Sequence, residues 1–218
     1  MASKIFDISR PVHAGLAVWP GDTPYSHIYG MQISAGETVN VSTLTMSAHT
    51  GSHADAPYHF DENGSKIDEL PLDAYIGPAT LFHLDHLGPI SPRHLQDVPF
   101  ATVERLLIRT PASDRPDAQW PSKIAYLLPE TAHLLGRTGV RLFGIDSPSV
   151  DHLDSKDLPA HHALAQHRVA ILENLYLRDV PPGSYELIAL PLRIATDGSP
   201  VRAVLRTYVS VDLPTFLS

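Results

Sequence analysis

The chain has 218 residues, of which 43% are apolar and 18% are charged; this ordinary globular composition excludes a disordered or coiled-coil protein. The length predicts a single domain spanning residues 1–218. The net charge of −8 disfavours a nucleic-acid partner, and the absence of cysteine excludes disulfides, thiolate metal sites and cysteine nucleophiles. Twenty prolines favour many loops and short strands over long helices.

The first half of the chain is predicted to form short strands. Its opening residues carry Asp7 and Pro11 within a short apolar stretch, which does not have the pattern of a secretory signal. No apolar run approaches the ~20 residues that cross a bilayer, so we expect a cytoplasmic protein without a membrane partner. The segment 39–47 alternates apolar and hydroxyl residues, as half-buried strands do. The strands predicted in this half are residues 4–8, 29–34, 39–47 and 79–84.

The second half is predicted to add helices to the strands. Residues 105–109 and 140–145 are continuous apolar segments of buried-strand length, and residues 122–135 between them predict a helix that ends at Gly136. A second helix is expected to follow Asp157 as its N-cap and to end near Gln166. A strand at 169–172, a turn at 181–184 and final strands at 187–194 and 201–209 complete the chain. The fold class is therefore mixed α/β, with strands dominating and a few packed helices.

The most informative segment is HTGSHADAPYHF, which places His49, His53, Asp55 and His59 in the pattern H-x3-H-x-D-x3-H. A pair of histidines four residues apart is unremarkable in a chain with 13 histidines. The full pattern has a chance expectation of about 0.003, which makes it worth interpreting. It indicates a metal-binding loop.

The local backbone chemistry agrees with such a loop. Gly51 and Pro57 disfavour one helix through all four residues, and a fully extended segment would be too long for one metal ion. We therefore expect bends at these two positions, with His53 and Asp55 pointing to the same side. Imidazole and carboxylate ligands suit Zn²⁺, Mn²⁺, iron or cobalt, and do not by themselves select zinc.

Further ligands are expected from a later segment. His161 falls near the first turn of the second predicted helix, and Glu173 follows the apolar run VAIL. A helix that folds back on its own strand can bring these positions together. A carboxylate at the end of a buried strand also requires a partner.

Four segments resemble the cyclase-type metal hydrolases, most closely their bacterial formamidase branch. They are HTGSHADAPYHF, GIDSPSVDHLDSKDLPAHHAL, VAILENLYL and ELIALPLRIATDGSPVRAVLR, and the resemblance covers nearly the whole chain. It implies a swivelling β/β/α fold, a homodimer and a centre of two zinc ions. It also implies hydrolysis of a small aryl formamide, N-formyl-L-kynurenine, to formate and an aromatic amine, a step of tryptophan degradation.

The resemblance assigns roles to the residues already singled out. It makes His49, His53 and Asp55 ligands of one metal, and Asp55, His161 and Glu173 ligands of a second. His161 is preferred to its neighbour His162 because the family ligand lies twelve positions before the glutamate.

Two further residues are expected to act on the substrate. The resemblance makes His59 the general acid/base, a role for a group that titrates near pH 7. Trp19 is a candidate for stacking on the aryl substrate, since an indole offers a large flat apolar face.

Other functions remain open at this point. A related hydrolase of isatin or another cyclic amide would use the same metal loop. An Fe(II) oxygenase with two histidines and one carboxylate would need only three of these ligands. A metal-binding protein without catalysis would leave His59 without a role. A serine hydrolase is disfavoured because the chain has no G-x-S-x-G nucleophile elbow.

Overall fold

The computed structural model describes residues 3–208. Its two α-helices are α1 (Pro129–Arg137) and α2 (Pro159–Gln166). Its strands are β1 (Ile5–Asp7), β2 (Ser26–Met31), β3 (Val41–Thr45), β4 (His53–Asp55), β5 (Ile76–His83), β6 (Gly88–Ile90), β7 (Arg105–Arg109), β8 (Ala125–Leu127), β9 (Leu142–Ile145), β10 (Ala170–Glu173), β11 (Gly183–Ile188), β12 (Gly198–Pro200) and β13 (Val204–Arg206). None of the helices in residues 3–208 has the length and apolar character to cross a membrane.

Nine of the strands form one sheet in the order β1-β13-β11-β5-β7-β9-β10-β4-β12. Its centre, β5-β7-β9-β10, is parallel, and the strands on both sides of this centre pair antiparallel. The strands β2 and β3 form a separate antiparallel hairpin, and β6 pairs with β8 in a second small sheet. The mixed α/β fold with short strands and few helices is confirmed.

Three of the central parallel strands, β7, β9 and β10, are almost fully buried on both faces, as their largely apolar sequences indicate. Leu106 and Ile108 of β7 pack in the core that α1 and α2 cover, whereas Leu107 points to the opposite core. The opposite core also contains Ala54 from β4 and Leu205 from β13, although these strands lie far apart in the sheet order. The sheet therefore curls around this core.

The first predicted helix was placed too early. Residues 125–127 form β8, because Ala125 and Leu127 are buried and the strand pairs with β6. Proline biases the residue before it away from helical conformations, so the helix begins at Pro129. Gly136 does not end the helix; a Cβ there would lie 2.0 Å from Cγ of His167, so this glycine leaves room for the side chain of His167, the residue that follows α2.

The second predicted helix is confirmed in extent, but its predicted cap is wrong. Leu158, not Asp157, is the N-cap residue, and no side-chain hydrogen bond caps the helix from that position. The free N–H groups of Ala160 and His161 instead donate to the carboxylate of Asp151, each at 3.0 Å. The side chain of Asp151, eight residues before the helix begins, thus caps the N-terminus of α2.

The remaining predicted strands are found at or near their expected positions, with shifted ends. The strand expected at 187–194 occupies Gly183–Ile188, because the predicted turn at 181–184 already enters the sheet at Gly183. The last strand is Val204–Arg206, and residue 209 of its predicted range lies outside the described residues.

The hairpin of β2 and β3 contradicts the half-buried strand expected at 39–47. Every residue of both strands is exposed, including Ile28 at 71% and Leu44 at 56%. Within residues 3–208, neither face of this hairpin belongs to a hydrophobic core. The alternation of apolar and hydroxyl residues in this segment therefore does not correspond to a face that this chain buries.

Candidate metal centre

The histidine-rich segment folds into one short strand between two bends. His53 and Asp55 lie on β4, between β10 and β12. Gly51 has a φ of +71°, a left-handed conformation that favours glycine, and Pro57 opens a 3-10 helix that ends at His59. Both predicted bends are confirmed. Because side chains alternate along a strand, His53 and Asp55 point to the same side of the sheet.

Strand register and α2 bring two more side chains to the same place. Glu173 ends β10 directly opposite His53 of β4. His161 lies in the first turn of α2, and its Nδ1 lies 2.7 Å from Oδ2 of Asp151. This contact turns Nε2 of His161 towards Asp55. A carboxylate on the remote nitrogen of a metal-binding histidine orients the ring and raises its basicity as a ligand.

The other four predicted ligands gather around Asp55. Its Oδ1 lies 3.0 Å from Nδ1 of His49 and 3.3 Å from Nε2 of His53. Its Oδ2 lies 3.3 Å from Nε2 of His161. Glu173 places one oxygen 3.4 Å from Nε2 of His53 and the other 3.4 Å from Nε2 of His161. The two oxygens of Asp55 thus face different histidines, an arrangement suited to a bridging carboxylate.

The unsatisfied oxygens of Asp55 fit a bound cation. Both are buried, and neither has a hydrogen-bond partner among the described residues, although three imidazole nitrogens lie within 3.3 Å. Two trios share this residue: His49, His53 and Asp55, and Asp55, His161 and Glu173. In each trio the ligand atoms lie within 4.8 Å of one another. Buried carboxylate oxygens and imidazole nitrogens that crowd together without aligned hydrogen bonds form a donor set that suits a metal ion.

The charge of the cluster fits a cation as well. Burial lowers the pKa of His53, but its contacts with Asp55 and Glu173 outweigh burial and raise the pKa to about 10. The pKa of His161 is raised in the same way, by Asp151, Asp55 and Glu173 against burial. Burial raises the pKa of Asp55, and the three histidines more than offset this and lower it. Without a metal the buried carboxylates therefore hold protons on the imidazoles, so the cluster requires positive charge.

A more open group of residues adjoins the five. The rings of His49 and His59 lie against each other with centroids 4.2 Å apart and planes tilted by 38°. Oδ2 of Asp197 lies 2.9 Å from Nε2 of His49 and 3.4 Å from Nδ1 of His59. Asp197 is held in place because its carbonyl oxygen accepts a hydrogen bond from the backbone N–H of Ala56. His59, the predicted general acid/base, therefore lies beside the cluster without joining the two trios.

A cavity of about 380 Å³ opens onto the cluster. His49, His53, His59, His161, Glu173 and Asp197 line its polar side. Trp19 lies on its wall, as predicted for a residue that contacts substrate, and so does Trp120. The two indole rings meet edge to face, with centroids 5.3 Å apart. A cavity of this size and mixed lining suits a small molecule.

Three residues of the site were not predicted from the sequence. Asp197 and Trp120 reach it by strand pairing and loop contacts across more than 100 residues, and no local pattern signals either. Asp151 carried a usable signal, since it lies among acidic residues just before α2. The sequence pattern instead favours Asp157 as the N-cap of α2.

This chain is similar in sequence to known proteins. Residues 6–152 match the sequence model of the Cyclase family, described as "Putative cyclase". A kynurenine formamidase of Bacillus cytotoxicus is 47% identical over 94% of this chain and 98% of the relative. A kynurenine formamidase of Bacillus cereus is 46% identical over the same shares.

Solved structures show the same fold. A predicted metal-dependent hydrolase from Bacillus stearothermophilus superposes with a TM-score of 0.82 at 28% identity, over 95% of this chain and 100% of the other. Isatin hydrolase A from Ralstonia solanacearum superposes with a TM-score of 0.80 at 20% identity, over 94% and 92% of the two chains; at that identity the likeness shows the fold alone. On the family match and the full-length identity, this chain belongs to the cyclase family, and the resemblance drawn from its motifs is confirmed.

Proposed function

We propose that this protein is a metal-dependent amidohydrolase that converts N-formyl-L-kynurenine to L-kynurenine and formate, in tryptophan degradation. The observation that carries the proposal is the full-length identity of 46–47% with kynurenine formamidases. The convergence of His49, His53, Asp55, His161 and Glu173 supports it, because amide hydrolysis of this kind uses metal ligands of these types.

The residues divide into two ligand sets in this proposal. His49, His53 and Asp55 hold one ion, and Asp55, His161 and Glu173 hold a second, with Zn²⁺ as the expected metal and Mn²⁺ as an alternative. Asp55 is suited to both sets because a carboxylate has two oxygens, each with its own lone pairs. When bound, divalent ions supply Lewis-acid polarisation of the formyl carbonyl and make hydroxide available at neutral pH.

His59 supplies the proton that the reaction needs. Hydrolysis breaks the bond between the formyl carbon and the aryl nitrogen, adds the hydroxyl of water to the carbon and transfers a proton to the departing nitrogen. His59 lies on the wall of the cavity, at the edge of the cluster, where it can deliver that proton. The contact of Asp197 with Nδ1 of His59 holds the ring so that Nε2 is free to face a substrate.

An Fe(II) oxygenase is a weaker explanation of the same residues. A site of two histidines and one carboxylate would leave two of the five side chains without a role. Both His49 and Glu173 instead contact members of the cluster, at 3.0 Å and 3.4 Å.

We also propose that the protein is a homodimer. The exposed hairpin of β2 and β3 supports this, because soluble monomers rarely leave so many apolar side chains uncovered. A second copy of the chain is the expected cover. The single domain over 1–218 and the cytoplasmic location stay predictions.

The proposed activity and its metal are tested together. The purified protein is analysed for divalent metal, and formate release from N-formyl-L-kynurenine is measured before chelation, after it and after metal is restored. We expect activity to follow metal content. Release of formate at the full rate from folded, metal-free protein would contradict the proposal.

Two adjacent histidines provide a matched pair of variants. His161→Ala should lose metal and activity, because His161 is buried in the cluster. His162→Ala should keep both, because His162 is exposed on α2 and packs against Phe60 instead. Equal effects of the two changes would show that the choice between these neighbours is wrong.

A further inference from the structure

The cavity above the cluster has a paired aromatic wall. Trp19 lies in the segment 14–22 and Trp120 in the segment 115–121, about 100 residues later in the chain. Both line the same cavity, and their rings meet edge to face at an interplanar angle of 73°. Two indoles that pack in this way restrict each other, and such pairs contribute beyond the apolar area that they bury.

The two segments are held together beneath the wall. The backbone N–H of Ala17 donates to the carbonyl oxygen of Asp117 at 2.8 Å. The buried side chain of Arg10 donates from Nη1 to Oδ1 of Asp117 at 3.0 Å and from Nε to Oδ1 of Asn174 at 2.8 Å. Asn174 directly follows the proposed ligand Glu173. One buried guanidinium therefore links the aromatic wall to the strand end that carries the cluster, which fixes the distance between them.

We propose that Trp120, with Trp19, forms an aryl-recognition wall, and that Trp120 makes the enzyme prefer aryl formamides to alkyl formamides. This inference rests on the proposed function, which supplies the formyl group to be cleaved at the cluster. The chemistry follows from the wall itself. Indole faces and edges interact with another aromatic ring by dispersion and by quadrupole complementarity, and an alkyl group offers only the first of these.

The chain provides its own probe for this wall, because Trp19 and Trp120 are its only two tryptophans. Trp19→Phe and Trp120→Phe each leave one indole, so the intrinsic fluorescence of each variant reports on one side of the cavity. L-Kynurenine is the ligand for titration, since its aminobenzoyl group absorbs where indole emits. We expect saturable quenching in both variants, with similar midpoints. An indole in the Trp19→Phe variant that is not quenched saturably would overturn the inference.

Kinetics then test the preference. Formate release is measured with N-phenylformamide and N-cyclohexylformamide, and the ratio of the two kcat/KM values is compared between variants. Trp120→Leu should lower this ratio about tenfold, mainly through a higher KM for the aryl substrate, with unchanged metal content. Tyr126→Leu is the matched control, because Tyr126 packs against His152 outside the cavity and should leave the ratio unchanged.

The two proposals fail in different ways. If the unmodified protein releases no formate from aryl formamides, the proposed function is wrong, while the fluorescence titration still decides whether the cavity binds an aryl compound. If the unmodified protein is active but Trp120→Leu keeps the ratio within twofold, the role of Trp120 is wrong and the proposed function stands.

Discussion

The candidate site has a buried half and an open half, and the side chains of the two halves differ in the chemistry that they can perform. The side chains of His53, Asp55, His161 and Glu173 are each at most 4% exposed. Those of His49, His59 and Asp197 are 16%, 34% and 42% exposed. Strand register, the start of α2 and Asp151 hold the buried groups, whereas the open groups face the cavity.

The two halves are therefore suited to different roles, the buried half to metal binding and the open half to proton transfer. Groups that are buried among fixed partners are suited to holding an ion in one geometry, since moving them would break several contacts at once. A group that exchanges protons with substrate must reach the cavity, and His59 does. His49 belongs to both halves, because it contacts Asp55 through one nitrogen and Asp197 through the other.

Removing the centre of the buried half should have the largest effect. Asp55→Ala takes away the carboxylate that both trios share, so we expect loss of bound metal and of activity together. Metal content and formate release measure this, and Asp157→Ala, an exposed aspartate outside the cluster, serves as the control. Asp55→Asn keeps the size of the side chain and should also lose metal. Full metal content in either Asp55 variant would contradict the shared-ligand role.

Removing His59, the proposed acid of the open half, should separate the chemical step from metal binding. His59→Ala should keep its metal but lower kcat by about 10²–10⁴, the usual contribution of a general acid. The comparison of metal content with kcat is the measurement. Normal turnover by this variant would end the role assigned to His59, and loss of metal would make His59 a metal ligand instead.

Substitution of Asp197, which contacts both histidines of the open half, should have a smaller effect on activity. Asp197→Asn removes the charge that contacts His49 and His59, and we expect kcat to fall about 10- to 100-fold, as for other residues that orient a ligand or catalytic group. In the His59→Ala background the same change should lower kcat much less, because the proposed acid that Asp197 contacts is already gone. Additive losses in the double variant would show that Asp197 acts independently of His59.

The stability of the protein should depend on pH differently when the buried half holds metal and when it does not. In metal-free protein the pKa of His53 is raised from 6.5 to about 10. Below pH 6.5 the raised pKa makes its full contribution to the free energy of unfolding. This contribution is lost as the pH rises from 6.5 through 10, by at most about 1.4 kcal/mol per pH unit for one proton.

Metal-loaded protein should not show this decline, because metal ligation requires neutral imidazole and competes with protons. Urea unfolding at several pH values between 6.5 and 10, with and without chelator, measures the difference. Stability of the chelated protein that rises with pH over this range would contradict the proposed electrostatics of the cluster.

Local chemistry allowed part of the site to be predicted. The bends at Gly51 and Pro57 follow from backbone preferences, and the common direction of His53 and Asp55 follows from strand alternation. His161 and Glu173 were first found as donors of the right kind near a predicted helix start and strand end, and resemblance selected His161 over His162. Register between β4 and β10 then places Glu173 opposite His53.

The parts that could not be predicted depend on long-range pairing. Asp197 reaches the cluster because the next residue, Gly198, pairs with Asp55, and a Cβ at Gly198 would lie 2.8 Å from Cε1 of His49. Nothing near position 197 in the sequence signals that contact. The exposed hairpin is a second case, since an alternating pattern predicts one apolar face but does not say whether the same chain covers it.

Anomalous diffraction from crystals grown with Zn²⁺ tests the central claim most directly. Data collected on both sides of the zinc absorption edge locate the ion independently of any activity. The account predicts one peak within coordinating distance of His49, His53 and Asp55, and a second beside His161 and Glu173. Zinc-saturated crystals with no peak within coordinating distance of Asp55 would contradict it.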